Sequence, residues 1–149
     1  LGYSFRMLGR PDEAWYCNLI TMNGSPLTET RHQAVQNLAV MSALRGDAES
    51  FDFFSSKVDL GELSAMGKGL VLFERGQALL ALDRPEGHEA LEAALRYAEE
   101  VKLGKLVFDI EAALELERPW EPLLGPDLVR RDTEEEEIRT QLELLANGA

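Results

Sequence analysis

Few residues in this sequence combine the type and the spacing that metal binding or acid–base catalysis requires. Glu29 and His32 lie three residues apart in a stretch with helical periodicity, so a helix would place a carboxylate and an imidazole on one face. A di-iron helical bundle needs such a pair twice, with further glutamates, and the second pair is missing. His88, close to Glu86 and Glu89, is interpreted as a surface residue in a turn. We interpret Glu29 and His32 as a solvated helix start and predict no metal site.

Nucleophilic and phosphate-binding chemistry find no better support. The chain has one cysteine, Cys17, in an apolar helical stretch, where we expect it to be buried and inert. A single cysteine excludes an internal disulfide and fits a reducing compartment. The stretch Gly67-Lys68-Gly69 lacks the upstream glycine of a phosphate loop and the Ser or Thr that should follow the lysine. We therefore predict that the chain is not an enzyme and uses no cofactor.

The charge of the chain restricts which classes of molecule can be its partner. It has 149 residues, a length that suits one domain, and a formal net charge of −12. Such a charge repels phosphates, so nucleic-acid binding through this segment is not expected, whereas a basic protein or peptide would be attracted. No apolar run is long enough to span a bilayer, and we predict a cytoplasmic protein. Because the sequence opens inside a helical pattern without a Met or an N-cap, we expect further residues upstream.

Apolar residues recur at three- and four-residue spacing, which is typical of helices with one buried face. The predicted helices cover residues 1–8, 12–22, 28–45, 47–57, 64–82, 89–101, 103–116 and 133–146, with turns or loops at 58–63 and 83–88. Gly46 suits the left-handed position after a helix, and Asp47 suits the next N-cap. Gly76 costs about 1 kcal/mol relative to alanine in a helix, which indicates a close approach of two helices. No stretch alternates convincingly as a strand would.

Small residues recur in two helix pairs, Gly2 with Ala14 in the first unit and, about two repeat lengths later, Gly76 with Ala90 in the third unit. The first pair belongs to a wider pattern, made of Leu1-Gly2, Phe5, Ala14 and Pro26 together with Leu8-Gly9-Arg10-Pro11-Asp12-Glu13-Ala14. With this pattern the chain resembles the tetratricopeptide repeat (TPR) family over residues 1–116. The third unit is similar to the looser repeats found in bacterial regulators.

The resemblance implies an all-α fold, a stack of about three to three and a half antiparallel helix hairpins that forms an α-solenoid. It also implies a concave groove for a peptide or a partner protein. The groove positions that carry over to this chain are Tyr3, Arg6, His32, Phe73, Gln77 and Glu111. The implied function is a protein–protein interaction scaffold within a larger bacterial regulatory protein. The alternative is a structural oligomerisation segment of a transcriptional regulator that has no ligand of its own.

The last part of the chain has a different character. Three prolines fall within residues 119–131, which we interpret as a connector because proline blocks helix continuation. The helix that follows opens with a capping box, Thr133 with Glu136, and has a narrow apolar stripe formed by Ile138, Leu142 and Leu145. We predict that this helix caps the stack, and pairing in a homodimer is the open alternative. The predicted division is a repeat domain (1–118), a connector (119–131) and a C-terminal helix (132–149).

Overall fold

The computed structural model describes Arg6, residues 8–116 and residues 133–148, with side chains in the last range only from residue 140 onward. This described part contains seven α-helices and no strand, which confirms the all-α class for these residues. The helices are α1 (Pro11–Gly24), α2 (Thr28–Leu44), α3 (Ala48–Ser56), α4 (Ala65–Ala81), α5 (Glu86–Glu100), α6 (Gly104–Leu116) and α7 (Thr133–Gly148). A short 3-10 helix, Leu60–Glu62, lies within the predicted loop.

The boundary between α2 and α3 follows the sequence prediction. Gly46 adopts a φ of +75°, in the left-handed region that only glycine enters without strain. The Asp47 N–H then donates to the Ser42 carbonyl at 2.9 Å, which closes the end of α2. The Asp47 carboxylate accepts from the Ser50 N–H at 3.0 Å and so caps α3. The predicted C-cap and N-cap are both confirmed.

The predicted turn at 83–88 is too long, because α5 begins at Glu86. Pro85 has a φ of −64° and already fits the start of a helix, a signal that the sequence analysis did not use. His88 therefore lies in the first turn of α5, with its Nε2 3.4 Å from Glu92 Oε1. It is exposed, as expected, but it belongs to a helix rather than to a turn.

The helices pack in two ways. Within α1–α3 and within α4–α6, each helix packs against the next one along the chain, and α2, α4 and α6 also form a row in which neighbours touch. One apolar core lies around Leu38, Phe51 and Ala78, and so joins α2, α3 and α4. A second core lies around Phe73 and Ile110 and joins α4, α5 and α6. Helix α4 therefore belongs to both cores and links the two halves of the row.

Helices α4 and α5 approach each other closely at two glycines. A Cβ added at Gly76 would lie 2.6 Å from Leu91 Cδ2 and 3.2 Å from the Leu91 backbone nitrogen. On the other helix, a Cβ added at Gly87 would lie 2.9 Å from the Leu80 backbone nitrogen. The close approach predicted at Gly76 is confirmed, and Gly87 has the same role on α5.

The C-terminal helix α7 packs against α1, within the same chain. In the predicted apolar stripe, Leu142 is half-buried but Leu145 is 55% exposed, so the stripe is buried in part only. The side chains of Ile138 and of the predicted capping box, Thr133 with Glu136, lie outside the described residues. The predicted connector at 119–131 lies outside them as well. Among the helices that are described, none has the length and apolar character needed to cross a bilayer.

Candidate functional site

The six residues predicted to line a groove do not share one open surface. Arg6 has no exposed surface, and Gln77 is 1% exposed. Phe73, which is 6% exposed, packs in the apolar core between α4, α5 and α6. These three side chains are interior, and they do not line an open groove in this structure. His32 is half-buried and Glu111 is exposed, while Tyr3 lies outside the described residues.

One face of α4 shows why only part of the expected groove is exposed to solvent. Met66, Leu70, Phe73 and Gln77 follow one another at spacings of four, three and four residues, so they form one stripe along the helix. The first two are 48% and 42% exposed, and the last two are buried. The stripe is thus open at the start of α4 and closed toward its end. The spacing predicts the stripe, but the packing of other segments decides which half is covered.

A buried polar cluster lies beside the closed half of this stripe. Arg6 Nη2 is 3.9 Å from Glu74 Oε1, and the Glu74 side chain retains 16% of its exposure. Burial raises the pKa of the Glu74 carboxyl, and the Arg6 charge and the Gln36 amide oppose that shift without cancelling it. Because Gln36 lies on α2 and Arg6 precedes α1, the cluster connects the first part of the chain to α2 and α4. We name Arg6, Gln36 and Glu74 the polar cluster.

The sequence analysis missed Gln36 and Glu74, although a signal was present. Each interrupts an apolar stretch at a position where helical spacing predicts a buried residue, next to Val35 and Phe73 respectively. Buried polar side chains are uncommon and need compensating partners. A glutamate at an apolar position of one helix therefore indicates an internal ion pair with an arginine from another segment. Only a structure can test which arginine it is.

Glu29 and His32 connect α2 to the loop before α4. Glu29 Oε1 accepts from the Ser64 hydroxyl at 2.6 Å and from the Ser64 N–H at 3.2 Å. His32 Nδ1 accepts from the Asp59 N–H at 3.2 Å. The interpretation as a solvated helix start missed this role, since both side chains hold the segment between α3 and α4 in place. Among the residues that the structure describes, no group of three or more His, Cys, Asp or Glu side chains is placed to hold a metal ion.

The two unusual side chains of α1 are also accounted for by packing. Cys17 is 6% exposed, which confirms its predicted burial, and this burial raises the pKa of its thiol. A thiol with a raised pKa has little thiolate at neutral pH and is a poor nucleophile. The Trp15 ring packs edge-on against Phe54, with ring centroids 5.8 Å apart, and the Arg45 guanidinium lies 4.7 Å from its centroid. Trp15 thus packs between helices.

Helices α2 and α4, which pack against each other, also have exposed side chains. On α2, Gln33 is exposed and follows Glu29 by four residues, so it lies on the side of the helix that bonds to Ser64. On α4, Met66 and Leu70 are exposed. We name Gln33, Met66 and Leu70 the α2/α4 surface. It offers two apolar side chains and one amide, a combination suited to a peptide side chain and a backbone hydrogen bond.

Comparisons with protein-family models, with curated proteins and with solved structures found no match for this chain. The resemblance to TPR proteins therefore stays a prediction from the sequence. The function has to be argued from the arrangement of the helices and from the side chains that they leave open.

Proposed function

We propose that this chain is a protein–protein interaction scaffold, a TPR-like stack of helix hairpins that binds a peptide or a partner protein, within a larger bacterial regulatory protein. The observation that supports the proposal best is the α2/α4 surface. Met66 and Leu70 remain 48% and 42% exposed on a helix whose other half is buried in the core. Exposed apolar side chains in a row on a packed helix are typical of binding surfaces.

The arrangement of the helices supports the finer part of this proposal. The row α2–α4–α6, with α1, α3 and α5 packed against it, is the neighbour pattern expected for antiparallel hairpins stacked in an α-solenoid. In such a stack the helices of one row line a continuous face. Since α7 packs against α1, we propose that the C-terminal helix caps the stack on the side of its first described helix.

A peptide selection from a displayed random library, followed by fluorescence anisotropy with the synthesised peptides, tests the proposal. Leu70→Glu places a charge where the partner's apolar side chain should rest, and we expect it to weaken binding by about tenfold or more, as at an interface hot spot. Phe53→Glu is the matched control, because Phe53 is 56% exposed on α3. Failure to select any peptide that binds saturably would refute the proposal. An equal loss in both variants would place the binding elsewhere.

The second candidate is the structural oligomerisation segment, and one observation favours it. Leu144 and Leu145 are adjacent on α7 and are 68% and 55% exposed, so α7 leaves apolar surface uncovered. Sedimentation equilibrium of the chain and of the double variant Leu144→Glu/Leu145→Glu separates the candidates. A dimer that becomes a monomer in the variant supports oligomerisation through α7. A chain that is monomeric from the start argues against it.

A further inference from the structure

Helix α6 has one packed face and one face open to solvent. Leu106, Ile110 and Ala113 are buried against α4 and α5. The opposite side, which we name the outer face of α6, consists of Phe108, Glu111, Ala112, Glu115 and Leu116, and all five are exposed. It shares no residue with the α2/α4 surface, and it includes Glu111, one of the six predicted groove positions.

The apolar residues of the outer face form a straight stripe. Phe108, Ala112 and Leu116 follow one another at intervals of four residues, so they lie above one another along about 12 Å of helix. Phe108 is 70% exposed and Leu116 is 57% exposed. A largely exposed aromatic ring that is followed two turns later by an exposed aliphatic side chain is a seam of the kind that a second helix covers.

Acidic side chains flank this stripe. Glu111 and Glu115 are exposed and four residues apart, so their like charges repel each other along the helix. Lys105, in the first turn of α6, is engaged with Asp109 at 2.9 Å between Nζ and Oδ2. The chain as a whole adds to this negative field with a net charge of −12. A cation brought to Glu111 and Glu115 would therefore be attracted at long range and would relieve their repulsion.

We propose that the outer face of α6 docks one cationic amphipathic helix of a partner protein. The apolar side of that helix covers Phe108 and Leu116, and its lysines or arginines lie against Glu111 and Glu115. A second copy of this chain fits the surface less well. A two-fold symmetric contact would bring the same acidic side chains of both copies together, and each copy carries the same net charge. The proposal goes beyond the scaffold function, since it assigns a second surface and states the chemistry of its partner.

Two synthetic peptides serve as probes for the full chain. Both are helices of four turns with leucines at the same seam positions. One carries lysines beside the seam and the other carries glutamates. We expect saturable binding of the lysine peptide by fluorescence anisotropy, with an affinity that falls as salt is added, and no measurable binding of the glutamate peptide. Binding of both peptides alike, or of neither, overturns the proposal.

Variants with matched controls locate the binding. Glu111→Lys/Glu115→Lys should lower the affinity for the lysine peptide at least tenfold and should allow the glutamate peptide to bind. Glu99→Lys/Glu100→Lys makes the same change in net charge on exposed positions of α5, and we expect less than a threefold effect. Phe108→Ser should lower the affinity for the lysine peptide about tenfold, whereas Phe53→Ser should leave that affinity unchanged.

Two results would contradict this assignment. Equal effects of the two charge-reversed pairs would show that the net charge alone attracts the peptide. A chain that sediments as a dimer and becomes a monomer on Phe108→Ser would show that a second copy occupies the face. Circular dichroism of each variant ensures that a loss of binding is not a loss of folding.

Discussion

The contact between Gly76 on α4 and Leu91 on α5 allows a sharp test of the packing. A Cβ at residue 76 would lie 2.6 Å from Leu91 Cδ2, 2.8 Å from Leu91 Cγ and 3.2 Å from the Leu91 nitrogen. Leu91 is 1% exposed and packs in the core, so its side chain has little room to move. Gly76→Ala therefore forces α4 and α5 apart or changes the Leu91 rotamer.

Two opposed effects set the magnitude. Alanine is favoured over glycine in a helix by about 1 kcal/mol, which on its own would stabilise the variant. Overpacking a dense core costs about 1–3 kcal/mol, so the free energy of unfolding should fall by about 0–2 kcal/mol. The control is Gly24→Ala at the end of α1, where no atom lies within 4 Å of the added Cβ. It should be neutral or stabilise by up to about 1 kcal/mol, so the two variants should differ by up to about 3 kcal/mol, which is up to roughly 12 °C in Tm.

Urea unfolding followed by circular dichroism measures both free energies, and a double-mutant cycle identifies the cause. Leu91→Ala alone should cost about 2–5 kcal/mol, because it leaves a cavity. Combined with Gly76→Ala it should cost less than the sum of the single changes, since the new methyl group enters the space left by the leucine. The Leu91 nitrogen remains in place, so the relief is partial. If the two changes add, or if Gly76→Ala stabilises as much as Gly24→Ala, the close approach does not limit packing here.

Three further predictions concern a turn, a helix cap and a buried carboxyl. Gly46→Ala should lower the free energy of unfolding by about 1–2 kcal/mol, since a φ of +75° strains any side chain, and Gly46→Asn should cost less. Ser64→Ala should cost about 0.5–2 kcal/mol, because the hydroxyl caps α4 by accepting from the Gly67 N–H at 3.1 Å. For Glu74, whose pKa is raised by burial, the folded state holds the proton to higher pH than the unfolded chain, whose pKa is about 4.3. The stability of the wild type minus that of Glu74→Gln should therefore fall as pH rises from about 4 through the folded pKa.

Urea titrations check all three, the last of them repeated across a pH series. An Asn variant at position 46 that is as unstable as the Ala variant would show that backbone strain is not the cause. A Ser64→Ala chain with unchanged stability would mean that the cap contributes nothing. A stability difference for Glu74 that is constant or rises with pH would contradict a raised pKa.

The local features of the fold could be predicted because they depend on few neighbouring residues. The end of α2 and the start of α3 follow from Gly46 and Asp47 alone, since one supplies a left-handed residue and the other a capping carboxylate. Helix α2 was predicted within one residue, because apolar residues recur at helical spacing as far as Leu44 and Gly46 follows directly after its C-cap. The start of α5 was placed three residues late, since Pro85 was interpreted as part of a turn rather than as a helix start.

The open surface could not be predicted in the same way. Helical spacing correctly indicates that Leu70, Phe73 and Gln77 lie along one face of α4, but exposure depends on segments distant in sequence. Gln77 is 1% exposed, although its position on α4 is one turn after Glu74, and Phe73 packs against residues of α5 and α6. A groove position that is carried over from a family therefore gives only the place of a residue on its helix. The packing of this particular chain decides whether the side chain reaches solvent.

The position of α7 bears on both proposals. A helix that packed on α6 would cover Phe108, whereas α7 packs on α1 and Phe108 stays 70% exposed. The apolar surface at the α6 end is thus left open while the surface on α1 is covered. Exposed apolar area promotes association, but the net charge of −12 keeps like chains apart and admits a basic partner. Charge and exposure together therefore favour a scaffold that selects its partner by charge over a segment that pairs with itself.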